Sequence, residues 1–230
     1  MIRAVVFDCD GVLSDNGSSW QLIHKFFGTG ENDGGRHREK LEMFLDVEIS
    51  EEEFVAHDIQ LWREVSPEIH RDDIIRCYSG VGLIDGARAV VEELQTRGVF
   101  VAIVSSGVDL IVGAIANMLK VDDWAANGFE WDEDGWLVKG LPTRVLSHDK
   151  GSMVEKLARI NGFNASDIIS IGDSSSDLSM MIEGSQFIGF NPRRERAKIA
   201  FEEANVPIVE DKDLRLIWPH IFPGENLLTR

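Results

Sequence analysis

The stretch Val5-Val6-Phe7-Asp8-Cys9-Asp10-Gly11 decides the fold. An apolar, β-branched run that begins at Ile2 stops at a carboxylate, and Asp10-Gly11 turns the chain immediately afterwards. A strand that is apolar at consecutive positions must be buried on both faces, the signature of a parallel sheet covered by helices. The pattern returns at Phe100–Val104, which ends at Ser105, and at Ile168–Ile171, which ends at Gly172-Asp173. Phe187–Phe190 and Pro207–Val209 read as two further strands. Amphipathic helical patterns lie between them: Ala87–Arg97, stopped by Gly98, then Leu110–Leu119 and Ser152–Ile160. This alternation predicts an α/β protein with a Rossmann-like, doubly wound parallel sheet.

Between Ser14 and Gly80 the alternation stops and only helical patterns remain, at Ser18–Phe27, Arg36–Asp46, Ser50–Val65 and Pro67–Tyr78. Ser50 with Glu53 forms a capping box, and Ser66-Pro67 reads as a second helix start. Glycine-rich stretches, Gly28–Gly35 and Gly80–Gly86, punctuate the segment. The expected organisation is a core of 1–13 and 81–230 with a small helical cap inserted at 14–80. Asn127–Gly140 adds a hairpin signal, because Asp132-Glu133-Asp134-Gly135 separates two apolar-aromatic runs.

Composition narrows the class of partner. Lys and Arg number 23 against 40 Asp and Glu, a formal charge of −17, so phosphate backbones and anionic lipid would be repelled. No nucleic acid and no membrane partner is expected. Two cysteines, Cys9 and Cys77, make no disulfide framework, which points to a reducing, cytoplasmic setting. No apolar run reaches the length of a membrane span or a secretory signal. Oligomeric state leaves no mark on the sequence.

In an open α/β sheet, ligands bind beyond the carboxyl ends of the strands. Asp8, Ser105 and Asp173 stand at three such ends, Asp10 lies in the turn after Asp8, and Asp177 follows Asp173 by one helical turn. Lys150 opens the helix before the third strand, where a cation opposes the helix dipole. Four carboxylates in one crevice call for a hard dication, and Mg²⁺ suits few carboxylates, waters and a substrate phosphate. Ser105, with the backbone N–H groups of Ser106 and Gly107 entering a helix, offers a phosphate-binding end. The set suggests phosphoryl transfer to an aspartate nucleophile. Taken singly, Asp-x-Asp-Gly is a common turn, Ser-Ser-Gly an ordinary cap and a lysine a solvated charge. All four motifs together, in one order at strand ends, carry the chemistry.

On these motifs the chain resembles the haloacid dehalogenase-like (HAD) superfamily of hydrolases: Val5–Gly11, Val101–Ser105, Lys150, and Gly172-Asp173 through Asp177. Val104–Asp109, Ala126–Phe129, Lys150-Gly151 and the helical insertion are similar to its phosphoserine phosphatase branch. The resemblance implies a Mg²⁺-dependent phosphatase acting on a small phosphorylated metabolite through an aspartyl-phosphate. Asp8 would be the nucleophile and Asp10 the general acid and base. Asp8, the Asp10 carbonyl and Asp173 would hold Mg²⁺, Asp177 would support its water shell, and Ser105 and Lys150 would grip the phosphoryl oxygens. An aspartate at position 10 points to phosphate esters, since halide leaves without a proton. Val12 replaces a threonine common among relatives, and Gly17 stands where phosphoserine enzymes place a glutamate that reads the substrate amine. A sugar phosphate or phosphoglycolate, transfer to an alcohol, or a non-catalytic phosphate-sensing protein are the alternatives.

Other residues have weaker claims. His24, His37, His57 and His70 lie at helical spacings that predict packing or surface positions, with no metal-binding spacing. Arg36, His37, Arg38 and Lys40 form a basic cluster in a segment with 15 acidic and 7 basic side chains; it reads either an anionic substrate or a solvated face. Trp20, Phe26 and Phe27 are expected to pack the cap, Cys9 to point inward without a redox role, and Arg193, Arg194 and Arg196 to form a solvated helix start. The tail Pro219–Arg230 carries no signal.

Overall fold

The computed structural model describes residues 1–30 and 35–227, so the glycine-rich stretch 28–35 lies partly outside the described residues. Strand β1 (Ala4–Phe7) pairs in parallel with β2 (Phe100–Val108) on one side and β6 (Ile168–Gly172) on the other. With β3 (Asp123–Asn127), β7 (Gln186–Phe190) and β8 (Ile208–Val209), the sheet order is β3-β2-β1-β6-β7-β8, parallel throughout. Side chains alternate across β1: Val5 and Phe7 enter one core cluster, Ala4 and Val6 the other. The first cluster is covered by helices α5 (Ala87–Thr96) and α6 (Asp109–Leu119), the second by α7 (Gly151–Asn161) and α8 (Glu195–Glu203). The doubly wound expectation therefore holds. The order reverses between β1 and β6, which sets the crevice beside Asp8 and Asp173.

The inserted segment forms α1 (Ser19–Phe27), α2 (Arg36–Leu45), α3 (Glu51–Val65) and α4 (Arg71–Cys77). The capping box at Ser50 and Glu53 is present. The start expected at Ser66-Pro67 is not: Ser66 caps the end of α3, and α4 begins four residues beyond Pro67, capped by His70 and Asp73. Tertiary pairing explains the shift. The Leu137 N–H donates to the Ile69 carbonyl at 2.8 Å and His70 bridges Trp136, which holds this stretch extended. The hairpin forms as expected, from β4 (Phe129–Trp131) and β5 (Leu137–Gly140), and Arg63 of α3 donates to the carbonyls of Leu137 and Val138.

Two parts were illegible beforehand. β3 is an edge strand whose apolar run is only Trp124-Ala125-Ala126 between two polar residues, too little to announce itself. The tail is structural: Ile221 and Leu227 are buried with Trp218, and the Arg97 guanidinium lies 4.9 Å from the Trp218 ring and 4.8 Å from the Phe222 ring. In the inserted segment Trp20 and Phe27 stack on Trp62, whereas Phe26 is half exposed. Among the described residues no helix is long and apolar enough to cross a membrane.

Candidate active site

The strand ends meet in a cavity of about 680 Å³ whose lining includes Asp8, Asp10, Ser105, Ser106, Gly107, Lys150 and Asp173. Carboxylate oxygens of Asp8, Asp173 and Asp177 lie within 4.8 Å of one another. Asp8 is the first residue past β1, with its N–H donated to the Ile171 carbonyl at 2.9 Å, so β6 fixes its position. Lys150 caps α7 and is buried; its Nζ lies 2.9 Å from Asp8 Oδ1 and 2.6 Å from Asp177 Oδ1. These ion pairs account for a lysine at a helix N-terminus. Burial works to lower the Lys150 pKa, but the charges of Asp177 and Asp8 outweigh it and hold the ammonium well above its usual range.

Asp177 reaches Asp173 by a 3₁₀ turn, Ser175–Met180, rather than an α-helix. Its Oδ2 accepts from the backbone N–H groups of Asp173 at 3.1 Å and Ser174 at 2.9 Å, and from the Ser174 hydroxyl at 2.8 Å. Any support it lends a metal's water shell shares those oxygens with Lys150 and this loop. Asp10 turns toward the insertion: Oδ2 accepts from Ser19 N–H at 2.6 Å and Ser19 Oγ at 2.7 Å, and Oδ1 from Asn16 at 2.9 Å. Ser19 Oγ in turn accepts from Val108 N–H at 3.0 Å, which links β2, α1 and Asp10.

The second motif differs locally from expectation. β2 does not end at Ser105 but continues to Val108 through a register break after Val104. The Gly107 N–H donates to Ser105 Oγ at 3.1 Å, and α6 starts only at Asp109. The backbone therefore passes through an irregular strand end, not a helix N-terminus, before reaching α6.

The acidic centre fits a dication. Burial, first, and the neighbouring charges of Asp177 and Asp10 push Asp8 above the usual carboxylate range despite the opposing Lys150. Burial, then Asp177 and Asp8, do the same to Asp173. Asp8 Oδ1 is buried and accepts no aligned hydrogen bond. One ammonium leaves this group of carboxylates under-compensated, and a cation bound by oxygens answers both facts. Burial and the charges of Asp10 and Asp8 push the Cys9 thiol well above its usual pKa.

The cavity also holds residues that sequence reasoning passed over. His148, Trp20 and Ser179 line it, as do Arg193, Arg194 and Arg196, which stand exposed at the start of α8 as expected. The fold brings these three cations to the cavity, with Arg193 near enough to Asp173 for its charge to act on it. Arg36, Arg38 and Lys40 stand elsewhere: Arg36 pairs with Glu64, Arg38 with Glu42, and Lys40 contacts Met43. Of the histidines, His24 packs inside as expected, and it converges with His37 on Asp58.

Comparison with known proteins agrees with this geometry. The family model for haloacid dehalogenase-like hydrolases matches residues 5–181. A phosphoserine phosphatase of Methanocaldococcus jannaschii is 28% identical over 220 residues, covering 95% of this chain and 97% of its own. One from Wolinella succinogenes is 25% identical over 220 residues, 96% of this chain and 100% of its own. Among solved structures, a substrate-bound phosphoserine phosphatase complex superposes with a TM-score of 0.77 at 25% identity, covering 96% of this chain and 98% of that one. A phospho-aspartyl intermediate analogue of phosphoserine phosphatase gives 0.74 at 26% identity, with 95% and 98% covered. With its motif carboxylates gathered at the switch point of the sheet and the family's pattern running through most of its length, the chain belongs to the haloacid dehalogenase-like hydrolases.

Proposed function

We propose that this phosphoric monoester hydrolase uses Asp8 as its nucleophile and Mg²⁺ as its metal, with the helices of 14–80 as a cap over the site. The observation that carries the reading is the convergence of Asp8, Lys150 and Asp173 in one cavity. Asp8, the Asp10 carbonyl and Asp173 would hold Mg²⁺, which when bound supplies charge neutralisation for the phosphoryl oxygens. Asp8 attacks phosphorus and becomes an aspartyl-phosphate as the ester oxygen leaves. Asp10 delivers a proton to that oxygen and later takes one from the attacking water, a contribution typically worth about 10²–10⁴-fold. Ser105, the Ser106-Gly107 backbone and Lys150 hold the phosphoryl oxygens. Because Ser19 at the start of α1 grips Asp10, the orientation of the acid is tied to the position of the cap.

The relatives act on phosphoserine, but the cavity wall favours a different second group. Position 17 is glycine, and the Arg193 guanidinium lies 3.2 Å from where a Cβ there would stand. Arg193 also donates to the Asp15 carbonyl at 3.2 Å, and Arg194 and Arg196 line the same cavity. Apart from Asp8, Asp10 and Asp173, no described lining residue is acidic. The charge next to the leaving group is thus positive, which suits a carboxylate or second phosphate better than an ammonium. Phosphate release from phosphoglycolate, phosphoserine, sugar phosphates and phosphoethanolamine in Mg²⁺ tests both levels. Activity lost in Asp8→Asn supports the mechanism, and retained activity there overturns it. A preference for phosphoglycolate over phosphoethanolamine that Arg193→Ala weakens supports the substrate class; a preference for phosphoethanolamine, or any preference that Arg193→Ala leaves untouched, overturns only that part.

A further inference from the structure

The helical insertion contains a second cluster that the phosphatase chemistry does not use. His24 of α1, His37 of α2 and Asp58 of α3 bring ligand atoms within 4.8 Å of one another. His24 Nε2 lies 3.0 Å from Asp58 Oδ2 and His37 Nδ1 lies 3.0 Å from Asp58 Oδ1. His24 and Asp58 are buried, at 2% and 1% exposure. His24 Nε2 nevertheless makes no aligned hydrogen bond: the carboxylate oxygen is near it but off the axis of the ring nitrogen. His57 Nδ1, 3.7 Å from Asp58 Oδ1, is a second buried imidazole nitrogen without a hydrogen-bond partner. Two imidazole nitrogens that face one buried carboxylate without an aligned hydrogen bond are unusual, since buried polar atoms are nearly always satisfied.

We propose that His24, His37 and Asp58 form a zinc-type metal site that fastens the helices of the insertion together, with His57 beside it. Two imidazoles and a carboxylate suit Zn²⁺ or a similar borderline ion better than Mg²⁺, which takes oxygen ligands. With metal–ligand bonds of about 2.0–2.2 Å, neighbouring tetrahedral donors stand about 3.4 Å apart, between the 3.0 Å contacts and the 4.8 Å limit seen here. Thr29 Oγ1 lies 2.8 Å from His24 Nδ1; metal binding requires that nitrogen to donate to Thr29 and release the Trp62 indole, which leaves Nε2 its lone pair. The rival is a metal-free network in which the Trp62 indole donates to Nδ1 at 3.2 Å and Nε2 carries the proton.

A fastening has a physical purpose here. α2 buries none of its residues, so apolar packing holds it weakly, yet it ends in Phe44 and Leu45, which line the catalytic cavity together with Val47. A metal on His37 would dock α2 and with it that wall of the cavity.

The test uses the full chain, stripped by chelator, dialysed into excess Mg²⁺ and titrated with Zn²⁺. One zinc per chain by elemental analysis is expected, with a rise in Tm of roughly 5–10 °C at about 100-fold excess over Kd. Co²⁺ in its place should give the visible bands of a tetrahedral site. His37→Gln, which keeps a polar group beside Asp58, should weaken uptake at least about 10-fold and cut the Tm rise by about half or more at the same zinc concentration. His70→Gln, in the same segment, should change neither. Absence of stoichiometric uptake by the unaltered chain overturns the proposal and favours the metal-free network. So does uptake that survives both His37→Gln and His24→Gln, or uptake lost in Asp173→Asn, which would place the zinc at the catalytic carboxylates.

Discussion

Lys150→Met removes the single buried ammonium of the catalytic centre while keeping the volume of its stem. The lysine contacts Asp8 at 2.9 Å and Asp177 at 2.6 Å, and all three are buried. Breaking a buried pair by deleting one partner costs about 3–5 kcal/mol, because the remaining charge is left uncompensated. In a chain of this size that lowers Tm by roughly 6–20 °C. The loss should depend on pH. Asp8 and Asp173 have folded-state pKa values raised above the ordinary 3.8, so the folded protein binds more protons than the unfolded one above that pH. Their contribution to stability is complete below the unfolded pKa and is lost as pH rises through the folded values. Removing Lys150 pushes Asp8 further in the same direction, so the deficit of the variant against the parent should be larger at pH 8 than at pH 5. Thermal melts of both proteins at the two pH values, each in chelator and in Mg²⁺, measure it. Mg²⁺ should return part of the lost stability at pH 8 by neutralising the same carboxylates. A deficit equal at both pH values and indifferent to Mg²⁺ would refute the electrostatic account and leave Lys150 as a packing residue.

Asp8→Asn should abolish phosphate release while leaving the melting curve in chelator unchanged or raised, since it removes a buried carboxylate; burst and steady-state phosphate assays check the first part. Gly107→Ala places a methyl 2.6 Å from Ser19 Oγ and 2.9 Å from Asp10 Oδ2. It should cost about 1–3 kcal/mol of stability and, by displacing Asp10, roughly 10²–10⁴ in kcat; a variant with normal kcat would separate Asp10 from proton transfer. Ile221→Ala should destabilise by about 2–5 kcal/mol in denaturant melts, with no change in KM, because the tail packs against the core away from the cavity. A neutral result there would return the tail to the status its sequence suggested.

The candidate site was legible because its residues sit at ends of strands. Val5–Asp8 and Ile168–Asp173 announce buried parallel strands, and a parallel sheet brings its carboxyl ends together whatever separates them in sequence. The details that escaped are those set by long-range contacts. Ser66-Pro67 has the local chemistry of a helix start, but pairing of Ile69 and His70 with the hairpin keeps the chain extended. Ser105 looked like the end of a strand entering a helix, and the register break with β3 carries the strand on to Val108. Arg193–Arg196 and Arg36–Lys40 are indistinguishable as basic clusters in sequence. The first follows β7 and lines the cavity; in the second, Arg36 and Arg38 are drawn into ion pairs on the insertion.

By itself, the sequence determined a doubly wound α/β fold with carboxylates placed at the ends of its strands. Buried β-branched runs ending in acidic residues permit few other arrangements. Which cations face the substrate, how Ser19 holds Asp10, and that His24, His37 and Asp58 meet at all were decided by tertiary structure. Those contacts join residues on different helices and loops, and their spacing in space is set by packing that no local periodicity encodes.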